Sequence, residues 1–168
     1  MIELIKQRLT KEMPDEEKLN RARELIQLLC LKILDEKKFF ESFAFTGGTT
    51  LRVVFAMRRF SEDIDFSLVK KGDYSFQRMN DDLLKGFQAV GLKAESKPKA
   101  EKTVHSAMLK FPGLLKEIGL SPLEGQKLSI KLEVDTNPPQ GGHVQNRFIQ
   151  NAYVFNVAHF DLPSLFAT

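Results

Sequence analysis

Four acidic residues in two short alternating segments, with a glycine pair ahead of the first, are the part of this sequence that could do chemistry. Asp63 and Asp65 stand one residue apart in Asp63-Ile64-Asp65-Phe66-Ser67-Leu68-Val69, and Glu133 and Asp135 are spaced the same way in Ile130-Lys131-Leu132-Glu133-Val134-Asp135-Thr136. Alternate residues of an extended chain share a face, so each pair of carboxylates looks one way while Ile64, Phe66, Leu68 and Ile130, Leu132, Val134 look the other. Carboxylates gathered on neighbouring strands repel one another unless a cation neutralises them, which points to Mg²⁺ or Mn²⁺. Two such ions roughly 3.5–4 Å apart can position a triphosphate, activate an acceptor hydroxyl and stabilise leaving pyrophosphate, which is nucleotidyl transfer. The D-x-D pattern alone is weak, because charged residues also alternate along the wet face of an ordinary antiparallel sheet. Gly47-Gly48, separated from Asp63 by Thr49 through Glu62, shifts the balance. A glycine turn opening a helix exposes backbone N–H groups and a dipole that favour a phosphate.

These residues need elements to carry them. From Pro14 to about Lys38, Leu19, Ala22, Leu25, Ile26, Leu29 and Ile33 recur at helical spacing. Phe39–Phe45 reads as a strand running into the glycine turn, and Thr49–Met57 as a short helix beginning there. Residues 75–90 fit a second amphipathic helix, with Phe76, Met79, Leu83, Leu84, Phe87 and Val90 inward and a stop at Gly91. Leu92–Ser96 and Thr103–Phe111 read as strands. Phe111–Gln126, with Pro112, Gly113, Gly119, Pro122 and Gly125, is a turn-rich connection with room for one helical turn. The strand at 130–136 ends at Asn137-Pro138-Pro139, Arg147–Asp161 alternates more weakly, and Leu162–Thr168 opens a helix. No internal repeat or low-complexity segment interrupts this order.

Composition narrows the chemistry further. The chain has 168 residues, 25 Lys and Arg against 22 Asp and Glu, and 42% hydrophobic residues, which fits one domain with a sizeable core. A net charge of +3 neither requires nor excludes nucleic acid. The single Cys30 cannot form an intramolecular disulfide, and with His105, His143 and His159 it lacks structural-zinc spacing, so carboxylates must hold any metal. Cys30 falls on the apolar side of the first long helix, as a buried thiol would. His105 alternates within a strand as a half-exposed histidine or a general base. Arg58 and Arg59, with Arg52, form a basic edge beside the glycines. Lys93, Lys97, Lys99 and Lys102 form either a solvated loop or an RNA-contacting strip. No apolar run approaches the roughly 18 residues of a membrane span, and Met1–Glu12 lacks a secretory signal pattern, so a cytoplasmic location without a membrane partner is expected.

Phe45-Thr46-Gly47-Gly48-Thr49-Thr50-Leu51-Arg52, followed by Arg59-Phe60-Ser61-Glu62-Asp63-Ile64-Asp65-Phe66, resembles the G-G-T-x-L-R…R-x-S-x-D-h-D-h signature (h, apolar) of the AbiEii/AbiGii toxin family of nucleotidyltransferases. That family lies within the polymerase-β-like superfamily and includes the MenT toxins. Lys131-Leu132-Glu133-Val134-Asp135 resembles its K-h-[DE]-h strand, which puts the third acidic position at Glu133, with Asp135 the alternative. The resemblance implies an α+β fold, a small mixed sheet flanked by helices, with N-terminal helices over about 1–38 and a core over about 39–161. It implies Asp63, Asp65 and Glu133 as Mg²⁺ ligands, Gly47, Gly48 and Thr49 as a cradle for NTP phosphates, and Arg52 and Arg59 facing the phosphates or buttressing the site. Lys131 would offset acidic charge or touch the triphosphate, and Ser61 would orient the D-x-D strand. The implied activity moves a nucleoside monophosphate from an NTP to an acceptor, the 3′ end of tRNA in some members, within a toxin–antitoxin or phage-defence setting that includes an antitoxin protein. Members of the family continue into a helical region with a basic R-D-x-x-D-type motif, so a catalytic half ending before that region is expected. The same carboxylates would also serve a catalytically silent nucleotide-binding or interaction module of this fold, or a Mg²⁺-dependent nuclease.

Overall fold

The helical apolar spacing over residues 14–38 produces the longest element of the protein. The computed structural model describes residues 1–121, 125–137 and 140–167, so Pro122, Pro138, Pro139 and Thr168 of the readings above lie outside the described residues. Helix α1 (Ile2–Arg8) precedes α2 (Asp15–Glu36), which follows Pro14 and carries Asp15, Glu16 and Glu17 in its first turn, where negative charge suits the helix dipole. Leu25, Ile26, Leu28, Leu29 and Cys30 are buried along it.

After a single 3₁₀ turn (Phe39–Glu41) come β1 (Phe43–Thr46), α3 (Gly47–Val53), β2 (Ile64–Leu68) and α4 (Phe76–Ala89). Then follow β3 (Glu95–Ala100), β4 (Val104–Pro112), the one-turn α5 (Leu114–Glu117) and β5 (Lys127–Asp135). The chain closes with β6 (Val144–Gln150), β7 (Val154–Phe160) and α6 (Leu162–Ala167).

Among the described residues seven strands make one mixed sheet in the order β3-β4-β5-β2-β1-β7-β6. Strands β2 and β5 pair in parallel, as do β1 and β7, and the other neighbours are antiparallel. One face carries Phe43, Phe45, Ile64, Phe66, Leu132 and Val134 into the main core with α2 and α4. Phe43 and Phe66 stack there with ring centroids 4.3 Å apart, a use of phenylalanine that needs no polar partner. The opposite face carries the polar alternation. Its only apolar cluster among the described residues is small: Ala44, Phe160 and Leu165, with Leu51 and Phe55 against them.

Local differences from the sequence reading have identifiable causes. Phe39–Glu41 is a 3₁₀ turn, because Lys38 ends α2 in the left-handed region at φ 63° and the chain must turn before it can extend. Helix α3 spans Gly47–Val53 and not Thr49–Met57; Ala56, at φ 54°, reverses the chain, and the Met57 N–H donates to the Leu51 carbonyl. The third strand starts at Glu95 and not Leu92, because Leu92 still caps α4 through its N–H to the Phe87 carbonyl. The weak alternation of 147–161 is two strands of a hairpin.

Candidate active site

The register places the carboxylates. On parallel β2 and β5, Asp65 lies opposite Glu133 and Ser67 opposite Asp135, while Thr46 of β1 lies opposite Asp65 on the other side. One row across the sheet therefore reads Thr46, Asp65, Glu133, Ser106, all on the face away from the core. Asp63 sits immediately before β2 and is exposed, and Asp135 accepts from the Asn137 N–H at 2.9 Å. The sheet thus brings Asp65 and Glu133 side by side and puts Asp135 one pleat repeat along. A cleft of about 400 Å³ opens here, lined by Thr46, Gly47, Asp65, Glu133 and Asp135 among others.

Electrostatics single out Asp65. Burial, then the charges of Glu133 and Asp63, push its carboxyl from 3.8 up to about 6, and Lys131 opposes the rise. Glu133 is held by Lys131, with Nζ 2.6 Å from Oε1, and that hydrogen bond is the main reason the ammonium is raised. A divalent cation fits the chemistry of this donor set: hard carboxylate oxygens, and one carboxyl whose ionised form lacks enough compensating charge. Among the described residues no three His, Cys, Asp or Glu side chains already converge on a common point, and Glu133 would exchange its lysine for the ion.

Gly47 explains the glycine pair. Its φ is +77°, and a Cβ built there would lie 2.4 Å from Asp65 Oδ2, so a side chain would strike the carboxylate. At Gly48 a Cβ would meet Ser61 Oγ at 3.1 Å. The Thr49 hydroxyl donates to the Asp63 carbonyl, fastening the first turn of α3 to the residue ahead of β2. Thr49 is fully buried and so joins the backbone framework.

Arg52 turns away from the carboxylates. Its guanidinium binds Glu24 of α2, with Nε 2.7 Å from Oε2, donates to the carbonyls of Met57 and Arg58, and lies over the Phe60 ring at 4.1 Å. Gln27, fully buried on α2, donates to the Ser61 carbonyl at 2.9 Å. Helix α2 thereby holds the loop that delivers Asp63 directly through Gln27, and indirectly through Glu24, whose partner Arg52 in α3 reaches the Met57 and Arg58 carbonyls. Arg59 is exposed and lines a second cleft, about 560 Å³, with Gly48, Ser61 and Glu62. Arg58 is exposed nearby, and Lys93, Lys97, Lys99 and Lys102 are exposed on or beside the edge strand β3. His105 belongs to the core-side face, opposite Val134, with Nδ1 2.9 Å from the Tyr74 hydroxyl. Cys30 is fully buried, and burial pushes its thiol well above the ordinary range.

Sequence reasoning passed over Gln27 and Glu24. The signal available was a glutamine inside the apolar run Leu25–Leu31, where an amide needs a partner. The partner itself lies in a loop remote in sequence.

Among the described residues no helix is long and apolar enough to cross a membrane. No curated protein resembles the chain closely enough to count as a match. The fold is similar to the crystal structure of JHP933 from Helicobacter pylori (TM-score 0.54, 17% identity, covering 88% of this chain and 54% of that one). It is also similar to a candidate nucleotidyltransferase from H. pylori (TM-score 0.51, 17% identity, covering 95% of this chain and 58% of that one). The chain thus spans a little over half the length of either solved structure, and the likeness concerns the fold. The family model "Nucleotidyl transferase AbiEii toxin, Type IV TA system" matches residues 29–168, from the buried half of α2 through the whole sheet and the carboxylate row. The chain belongs to the AbiEii nucleotidyltransferase toxin family.

Proposed function

We propose that this chain is the catalytic domain of a Mg²⁺-dependent nucleotidyltransferase that moves a nucleoside monophosphate from an NTP to an acceptor hydroxyl, with an RNA 3′ end, such as that of tRNA, as the acceptor class. The observation that carries this reading is the register of Asp65 opposite Glu133, beside a glycine whose missing side chain leaves room for the Asp65 carboxylate.

Asp63, Asp65 and Glu133 would hold the metal, with Asp135 in reserve on the same face. Bound Mg²⁺ or Mn²⁺ supplies charge neutralisation for the triphosphate and its leaving pyrophosphate and lowers the pKa of a bound hydroxyl. The chain's own residues position and compensate. Gly47, Gly48 and the N–H groups that open α3 give the phosphates a close backbone approach. Lys131, released from Glu133, is the nearest cation to the carboxylate row and would face phosphate oxygens. Arg59 and Ser61, in the cleft beyond Gly48, would take the outer part of the nucleotide. Arg52 and Thr49 hold the frame. Chemistry of this type depends on positioning and electrostatic stabilisation and needs no cysteine or histidine nucleophile.

The setting proposed is a toxin of a type IV toxin–antitoxin system acting in the cytoplasm in phage defence, with an antitoxin as its functional counterpart. The test is transfer of label from an α-³²P-NTP to RNA by the protein and by its Asp63→Ala/Asp65→Ala variant. Transfer lost in the variant, with its circular dichroism and melting preserved, is the expected result. Mg²⁺-dependent NTP binding without transfer to any acceptor would assign the fold to a silent binding module, and RNA cleavage without NTP would assign it to a nuclease.

A further inference from the structure

The end of β1 and β2 remote from Asp65 carries the opposite charge. A cleft of about 370 Å³ there is lined by Lys37, Lys38, Lys70 and Arg78, together with Glu41, Asp73 and the hydroxyl-bearing Ser42. Four cations against two carboxylates leave two positive charges in one small cleft, when the whole chain carries +3. Among the described residues none of the four cations makes an ion pair within 4.0 Å, although both carboxylates line the same cleft.

Ordinary helix electrostatics accounts for only part of this. Lys37 and Lys38 follow the C-terminus of α2, where positive charge is favourable. Arg78 lies in the first turn of α4, where the dipole disfavours a cation and that turn itself carries no acidic residue. Its guanidinium is braced over the Phe39 ring at 4.9 Å, which leaves its other face and edge to the cleft. Lys70 comes from beyond β2, with its backbone fixed because the Ser42 carbonyl accepts the N–H groups of both Val69 and Lys70. Lys38 occupies the left-handed position that ends α2, where glycine would sit without strain. A lysine there costs backbone energy and delivers an ammonium to the cleft.

We propose that this cleft is an anion site for a phosphate-bearing ligand, separate from the carboxylate cleft at the other end of the strands. An arginine edge reads phosphate oxygens in pairs, and lysines converging from separate segments suit a compact group of high charge density better than a spread of single carboxylates. The phosphate comes either from a nucleic-acid backbone or from a free phosphorylated molecule.

The experiment measures binding of tripolyphosphate by calorimetry, and of a fluorescent 12-nucleotide oligouridylate by anisotropy, to the full chain without divalent cations. Lys70→Ala and Lys38→Gly should each weaken binding at least fivefold, while Lys11→Ala, at an exposed lysine remote from both clefts, leaves it unchanged. Lys38→Gly relieves the backbone, so it should melt no lower than the parent and thereby separates lost binding from lost folding. Each lysine removed should also reduce the salt dependence of oligonucleotide binding by about 0.7 in log–log slope. Binding of the oligonucleotide alone identifies a nucleic-acid backbone, and tripolyphosphate binding that competes with it identifies a free phosphate compound. Failure of both probes to bind, binding indifferent to both substitutions, or equal competition by a polyglutamate peptide overturns the proposal.

Discussion

At one end of the β1–β2 pair Gly47 takes φ +77° against the Asp65 carboxylate; at the other Lys38 takes φ 63° above a cleft of cations. Both are left-handed positions at a helix terminus, and the residue types differ for a physical reason. At Gly47 a Cβ would occupy the space of a carboxylate oxygen, so only glycine fits. At Lys38 a side chain is accommodated, and the strain is the cost of placing its charge. The acidic end accordingly depends on the absence of atoms, the basic end on their presence.

The contrast can be broken most severely at Asp65. Asp65→Asn should lower nucleotidyl transfer by about 10³-fold or more, measured under saturating NTP and Mg²⁺, while the fold persists. A rate within tenfold of the parent would remove Asp65 from the chemistry. Gly47→Ala should cost about 1–3 kcal/mol of stability by chemical denaturation and lower the rate as well, because strain and clash fall on the same residue. Gly48→Ala provides the matched control. It has no positive φ and meets only a serine hydroxyl, so it should cost less than about 1 kcal/mol.

Arg52→Ala should destabilise by about 1–2 kcal/mol, since it removes the partly buried pair with Glu24, two carbonyl contacts and the stacking on Phe60. A loss of activity at unchanged stability would instead put Arg52 on the nucleotide.

A smaller effect follows from protons. The folded Asp65 carboxyl titrates near 6 and an unfolded one near 3.8, so between those values the folded state binds the extra proton. Stability without metal should therefore rise as pH falls from about 6 to about 4, by about 1 kcal/mol after allowance for solvent screening at this partly exposed group, and Asp65→Asn should abolish that rise. Metal-dependent activity should run the other way and fall below about pH 6. Smallest of all, Lys38→Gly should stabilise by about 0.5–1 kcal/mol, the reverse of Gly47→Ala. If both glycine–side-chain exchanges destabilised equally, the two ends would not differ as described.

Much of this was legible in the sequence because it is local and periodic. The alternation through Asp65 and Glu133 gives the correct faces, and the spacing of Leu25, Ile26 and Leu29 gives α2. Pairing partners were not legible. Nothing near Asp65 says that β2 runs parallel to β5, or that Glu133, and not Asp135, is its neighbour. Arg52 shows the same limit from another side. A motif arginine beside glycines suggests phosphate, yet its guanidinium meets Glu24, which lies on a helix that the motif does not include. The basic cleft is drawn from α2, the β2 exit and α4, and no window of sequence contains it.

The parallel pairing of β2 with β5 also sets a timetable. Roughly 70 residues separate Asp65 from Glu133, and Phe45 finds its β7 partner His159 roughly 115 residues further on. At about 5–20 residues per second of synthesis, a ribosome needs several seconds after making Asp65 before Glu133 exists, and longer before β7 can close the other flank of β1. A nascent chain therefore holds only the β2 half of its carboxylate row while the residues between β2 and β5 are made, and the row closes only once β5 has left the ribosome and paired.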